Sequence, residues 1–307
     1  MSFRLDPGEP IAAGIAARAC GQLDCALGEL RDPARDRHAA IHEARKCCKR
    51  LRGLLRLARP GLGSKVYSRE NAALRDAARR LSALRDAEAL LETCDRLDER
   101  FADEVDRRRM VPVRRALAAR HAALGEDDLG QRIAAFCADL EAVRARVPSW
   151  PAISAPDALA RGLERTYRRA RKAMDAAYDD PASERFHDWR KRVKYHRYHL
   201  ELLAAVWPRQ VESRRKEVRA LGEMLGDEHD LAVLEATLAA DRESFSEAGA
   251  QLVGELAQRR RAELRAAMRP LGQRLFAERP KALARRYAAY WQAARSTAED
   301  GGAREAA

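Results

Sequence analysis

His187-Asp188-Trp189-Arg190-Lys191-Arg192-Val193-Lys194-Tyr195-His196-Arg197 is a phrase that the chain uses twice. The earlier copy reads His42-Glu43-Ala44-Arg45-Lys46-Cys47-Cys48-Lys49-Arg50-Leu51-Arg52. Five positions agree: His, then Arg at +3, Lys at +4, Lys at +7 and Arg at +10, at a constant offset of 145 residues. These spacings are helical. At about 100° per residue the five side chains fall on one stripe about 120° wide. Arg56 extends the first stripe by another turn. Opposite it lie Ala44, Cys47, Leu51, Leu54 and Leu55, and opposite the second stripe lie Trp189, Val193, Leu200 and Leu203. Each helix therefore buries one side and presents cations on the other. Tyr198 falls on the wheel among the cations of the second copy, where its hydroxyl is expected to face an anion.

Most surface helices carry a charged face, but such faces mix signs, because like charges four residues apart repel by a few tenths of a kcal/mol. No acid lies on the first stripe from His42 to Arg56. Keeping that repulsion twice, at matching positions, points to an anion that relieves it. Arg forks onto two phosphate oxygens, and Lys supplies a mobile point charge. His42 and His187 head the two stripes. Their cationic neighbours favour the neutral imidazole until an anion arrives.

The rest of the chain agrees with an all-α fold. Helical periodicity covers about 8–30, 35–58, 65–82, 85–108, 112–124, 129–146, 157–178, 184–206, 210–225, 230–240, 243–268 and 271–296, and no stretch alternates like a strand. The Pro-rich segment from Val147 to Pro156 divides the chain. Each half has a helix before its basic helix, a proline near that helix's end (Pro60, Pro208) and then a Leu-x-Asp step (Asp86, Asp227). An internal duplication is expected, with repeats at about 8–147 and 157–296 forming two pseudo-symmetric bundles. Residues 297–307 are polar and are expected to be a disordered tail.

The 307 residues hold 59 Lys+Arg against 47 Asp+Glu, a net charge of +12. A polyanionic partner follows from that excess. The six cysteines form no C-x-x-C pair and read as reduced thiols of a cytoplasmic protein. No uncharged run approaches the ~20 residues of a membrane span. His38/His42, His196/His199 and Asp227-Glu228-His229-Asp230 lack a full metal-ligand set, and their Arg/Lys surroundings disfavour a cation. No Gly-rich phosphate loop, catalytic constellation or cofactor motif is expected.

The doubled phrase resembles the CHAD family, the "conserved histidine α-helical domain", whose pattern places an H-x-x-R-[KV]-x-x-[KR]-x-x-R helix in each of two repeats. The stretch from Phe186 to Leu203 is similar to the second repeat. Asp86 and Asp227 match an L-G-x-x-x-D-like element, with Gly replaced in the first copy. The resemblance spans about residues 8–296. It implies two four-helix-like bundles around a basic central groove and binding of inorganic polyphosphate, in some members at intracellular granules. Many members carry an N-terminal CYTH triphosphatase-like domain. The chain has no strands for one, so no catalysis is carried over. The implied polyphosphate contacts are His42, Arg45, Lys46, Lys49, Arg52, His187, Arg190, Lys191, Lys194 and Arg197, to which the helical wheel adds Arg56 and Tyr198. A nucleic-acid-binding helical protein is the competing expectation, weakened because only Tyr198 offers a stacking ring within a stripe.

Overall fold

Short caps and prolines set where the helices begin. Asp36 accepts a hydrogen bond from the Ala39 amide (2.8 Å) and starts one helix, and Pro156, Pro208 and Pro280 each head another, where a missing N–H costs nothing. A computed structural model of the chain describes residues 2–123, 128–153 and 155–305, without the side chains of 83–86, 242 and 301–305. The Asp86 side chain therefore lies outside the described residues.

Ten α-helices make up the described fold, and no strand occurs among the described residues. They are α1 (Ile11–Arg31), α2 (Arg37–Arg80), α3 (Ser82–Arg100), α4 (Val111–Ala122), α5 (Leu129–Arg146), α6 (Pro156–Asp179), α7 (Ser183–Leu202), α8 (Pro208–Ala240), α9 (Glu247–Leu275) and α10 (Pro280–Glu305). The two cationic phrases sit on α2 and α7. Helix α2 touches α1, α5, α6 and α7, and α7 touches α2, α6 and α8. The two basic helices are thus direct neighbours at the middle of the assembly.

Several boundaries differ from those expected from the sequence. The helices placed at 35–58 and 65–82 are one element that bends at Gly63, whose φ of 78° and ψ of 165° leave helical space. Pro60 does not end the helix; it lies inside α2, three residues before the bend. Likewise 210–225 and 230–240 are one helix, because Leu225-Gly226-Asp227 continues α8. The chain from residue 297, expected to be a disordered tail, is helical in α10 as far as Glu305.

A single apolar cluster links all the helices. Trp189 is fully buried and meets Tyr178 edge-on, with Phe186 against both. Two carboxylates are buried with it, and both are paired. Glu70 of α2 receives Arg146 of α5 at 2.7 Å, and Glu228 of α8 receives Arg265 at 2.6 Å and Arg261 at 3.0 Å from α9. Each pair ties two helices together, and removing one partner would strand a buried charge. All six cysteines are free, and burial raises the Cys48 thiol to about 12, which keeps it protonated and inert.

Candidate functional site

Helices α2 and α7 meet at Gly53. A β-carbon there would stand 2.8 Å from the Tyr198 β-carbon, so the two helices approach as closely as they do only because position 53 has no side chain. His199 lies in the same contact, with Nε2 3.1 Å from the Gly53 carbonyl oxygen. Burial lowers the His199 imidazole to about 3, against the opposing pull of that carbonyl, and Nε2–H is then the donor. His196, also buried, packs against Tyr167. Both histidines therefore serve packing, away from the cationic stripe.

Tyr198 is the clearest correction to the wheel. It was placed among the cations, yet it is 2% exposed, pressed onto Gly53 and beneath the Arg197 guanidinium (5.2 Å to the ring centre). The wheel angle was right, but at that level of α7 the direction faces α2 instead of solvent.

Around this crossing the two stripes converge. Lys194 is held well below the usual lysine range, chiefly by desolvation and then by Lys49, Arg190 and Arg197, with Asp230 opposing. Lys49 belongs to α2, so cations from both stripes act on one ammonium group. Lys194, Arg190 and Arg197 also line a cavity of about 290 Å³ whose α8 wall carries Glu223, Asp227 and Asp230 beside Gly222 and Gly226. Arg190 is 4.0 Å from Asp230.

Farther along α2, the Asn71 side-chain oxygen accepts from Arg52 Nε (3.1 Å) and Arg56 Nη1 (3.0 Å). Arg56 lies over the Tyr195 ring at 3.7 Å and over Tyr67 at 5.8 Å. Desolvation lowers its guanidinium, and Arg52 and Arg192 add to that while the two tyrosines oppose it. Among the described residues, no carboxylate makes an ion pair with Arg52, Arg56, Lys194 or Arg197. Arg45 donates to the Ala78 carbonyl at 3.1 Å, and His42 is exposed at the start of the stripe.

One member of each five-residue set is more constrained than its spacing indicates. Lys46 is held by Glu43 at 2.9 Å and Lys191 by Asp188 at 3.1 Å, each acid lying just off the stripe at i−3. Glu201, which aligns with Arg56, accepts from Arg50 of α2 at 2.9 Å and so ties the two helices together.

His187 has a partner that the repeat could not show. Its Nδ1 is 3.0 Å from Nδ1 of His229 on α8, with ring centres 4.1 Å apart. One ring must donate and the other accept, so the pair as built carries at most one charge. Burial lowers both, and Arg190, Lys191 and Lys194 add to it; His229 falls to about 3. The Asp227–Asp230 segment is split by this helix. Glu228 turns inward to Arg261 and Arg265, and His229 turns to His187.

The CHAD domain family model matches residues 17–239. The chain belongs to the CHAD family. This CHAD chain is similar to two solved structures. PptA from Streptomyces chartreusis superposes with a TM-score of 0.60 at 16% identity, over 88% of this chain and 100% of that one. The CHAD domain from the plant Ricinus communis gives 0.57 at 20% identity, over 90% and 95%. Both show the shared all-α fold. No curated protein matches the sequence. No described helix of this CHAD protein is long and apolar enough to cross a membrane.

Proposed function

We propose that this CHAD protein binds inorganic polyphosphate, without catalysis, in a basic groove formed where α2 and α7 meet. The carrying observation is the convergence on Lys194. A desolvated amine crowded by Lys49, Arg190 and Arg197, with Asp230 opposing them only in part, gains from an anion in the site. A linear polyphosphate suits the shape of the cation array. The run from residue 42 to residue 56 extends about 21 Å along α2, enough to lie beside several phosphates in succession. The repeat offset and the pairing of two like helices support an origin by internal duplication, with one arm of the groove from each copy.

Nucleic acid is the weaker reading. Single strands are held by stacking on open aromatic faces, and the faces nearest the groove are already covered. Arg56 covers Tyr195, Arg59 covers Tyr67 at 4.3 Å, and Tyr198 is buried. Such a protein would act in the cytoplasm, where polyphosphate granules offer the densest target.

A competition titration tests this. Long-chain polyphosphate is expected to bind with an affinity that falls steeply with salt, by release of condensed counterions, and to resist displacement by duplex DNA at equal phosphate concentration. Displacement by DNA or RNA would overturn the polyphosphate reading. Release of inorganic phosphate during the incubation would overturn the non-enzymatic one.

A further inference from the structure

Helix α6 carries a third cationic stripe that the repeat did not mark. Arg161, Arg165 and Arg169 follow one another at i, i+4 and i+8 and are all exposed. Of the nearby acids, Glu164 holds Arg168 at 3.2 Å and Asp188 holds Lys191 at 3.1 Å and Arg192 at 3.2 Å, while Asp157 stands one turn before Arg161 at the head of the stripe. Among the described residues no carboxylate pairs with Arg161, Arg165 or Arg169. The repulsion argument that singled out α2 and α7 therefore applies to α6 as well.

This stripe is joined to the groove. Helix α6 lies directly on the α2 backbone, since a β-carbon at Gly162 would fall 1.9 Å from the Leu57 carbonyl oxygen. Arg59 of α2 lies over Tyr67 at 4.3 Å, and Arg56 reaches the same ring at 5.8 Å. Arg192 lies three residues before Tyr195 on α7 and is held by Asp188. The Arg169 guanidinium is depressed by desolvation and then by Arg192 and Arg165, with Asp188 and Tyr67 opposing, which places these groups within electrostatic reach of one another. Cations in electrostatic contact thus run from Arg52 to Arg56, to Arg192 and onto Arg169 of α6.

We propose that Arg161, Arg165 and Arg169 form an outer polyphosphate subsite that continues the α2–α7 groove, so that long chains are gripped by three helices and short ones by two. This rests on the polyphosphate reading above and adds to it a means of selecting chain length. From Arg161 to Arg169 the helix rises about 12 Å, which extends the phosphate path well beyond the crossing. Tyr67, with its ring already under Arg59, forms the floor between the two parts.

The test uses the full chain, tripolyphosphate and a polyphosphate of about 100 residues, with binding measured across a salt series. Arg165→Ala/Arg169→Ala is expected to bind tripolyphosphate as the unaltered protein does. It is expected to bind the long chain about tenfold more weakly, with a log–log salt slope smaller by about two. Arg165→Glu/Arg169→Glu is expected to deepen the long-chain loss while leaving the short-chain affinity in place. An unchanged long-chain affinity and slope in both variants overturns the outer subsite, as does an equal loss for both lengths. Circular dichroism of these exposed-site variants checks that the fold persists. If the unaltered protein binds neither polymer, the polyphosphate reading itself fails, a result distinct from failure of the α6 subsite alone.

Discussion

The basic faces of α2 and α7 share five residue types at the same spacing, yet they sit in different surroundings. On α2, His42 stands exposed, Arg52 and Arg56 are propped on Asn71, and Ala44 fills the buried side. On α7, His187 is locked to His229, Lys194 is crowded by cations and Trp189 fills the buried side. Equal spacing has produced one arm with an exposed head, at His42, and one whose head, His187, is paired. Farther along, both arms are mostly part-buried. Through Trp189 the α7 arm also packs the second half of the molecule.

The largest test of that difference is Trp189→Ala, which gives α7 the small residue that α2 has at Ala44. Loss of a fully buried indole that meets Tyr178 and Phe186 is expected to cost about 3–5 kcal/mol, read by chemical denaturation. A cost below about 1 kcal/mol would mean that α7 is not the packing arm.

Protonation is the next contrast. His187 and His229 titrate lower in the folded chain than in the unfolded one, so unfolding takes up protons. Stability from this pair is complete above the unfolded histidine value near 6.5. It is lost as pH falls from there toward the folded value of His229, about 3. Melting temperatures are expected to drop across that window and to drop less in His229→Gln. A bound polyanion favours the protonated rings, so polyphosphate affinity is expected to rise as pH is lowered from about 7.5 to about 5.5. Identical profiles for both proteins would remove the pair from the account.

Much of this was legible from residues alone, and the exceptions have physical causes. The stripe follows from spacing because a helix converts sequence distance into angle. The pairing of α2 with α7 is not readable in that way, since it depends on Gly53 admitting Tyr198 across 145 residues of chain. The same contact took Tyr198 out of the cationic face. His229 was seen only as part of a polar cluster, because its partner comes from another helix. The α6 arginines do not repeat in the first half; their i, i+4, i+8 spacing is the signal that the sequence offers. Lys46 and Lys191 were expected to be free for phosphate, yet Glu43 and Asp188 reach across from just off the stripe.

Those two lysines give the smallest expected effect. Each is partly exposed and already holds a carboxylate on its own helix, an arrangement worth about 0–1 kcal/mol. Lys46→Ala/Lys191→Ala is expected to change polyphosphate affinity by no more than about threefold, far less than changes at the crossing. A loss as large as that of the central pair would mean that both arms bind along their open faces instead of where they meet.

The central claim is that the arms act together at Lys49 and Lys194. Long-chain polyphosphate titrated by calorimetry against the unaltered protein, Lys49→Ala, Lys194→Ala and the double variant tests it most directly. The account predicts that each single change weakens binding and that the double variant loses at least about tenfold, with a shallower salt dependence. Equal binding by the unaltered protein and the double variant would contradict it.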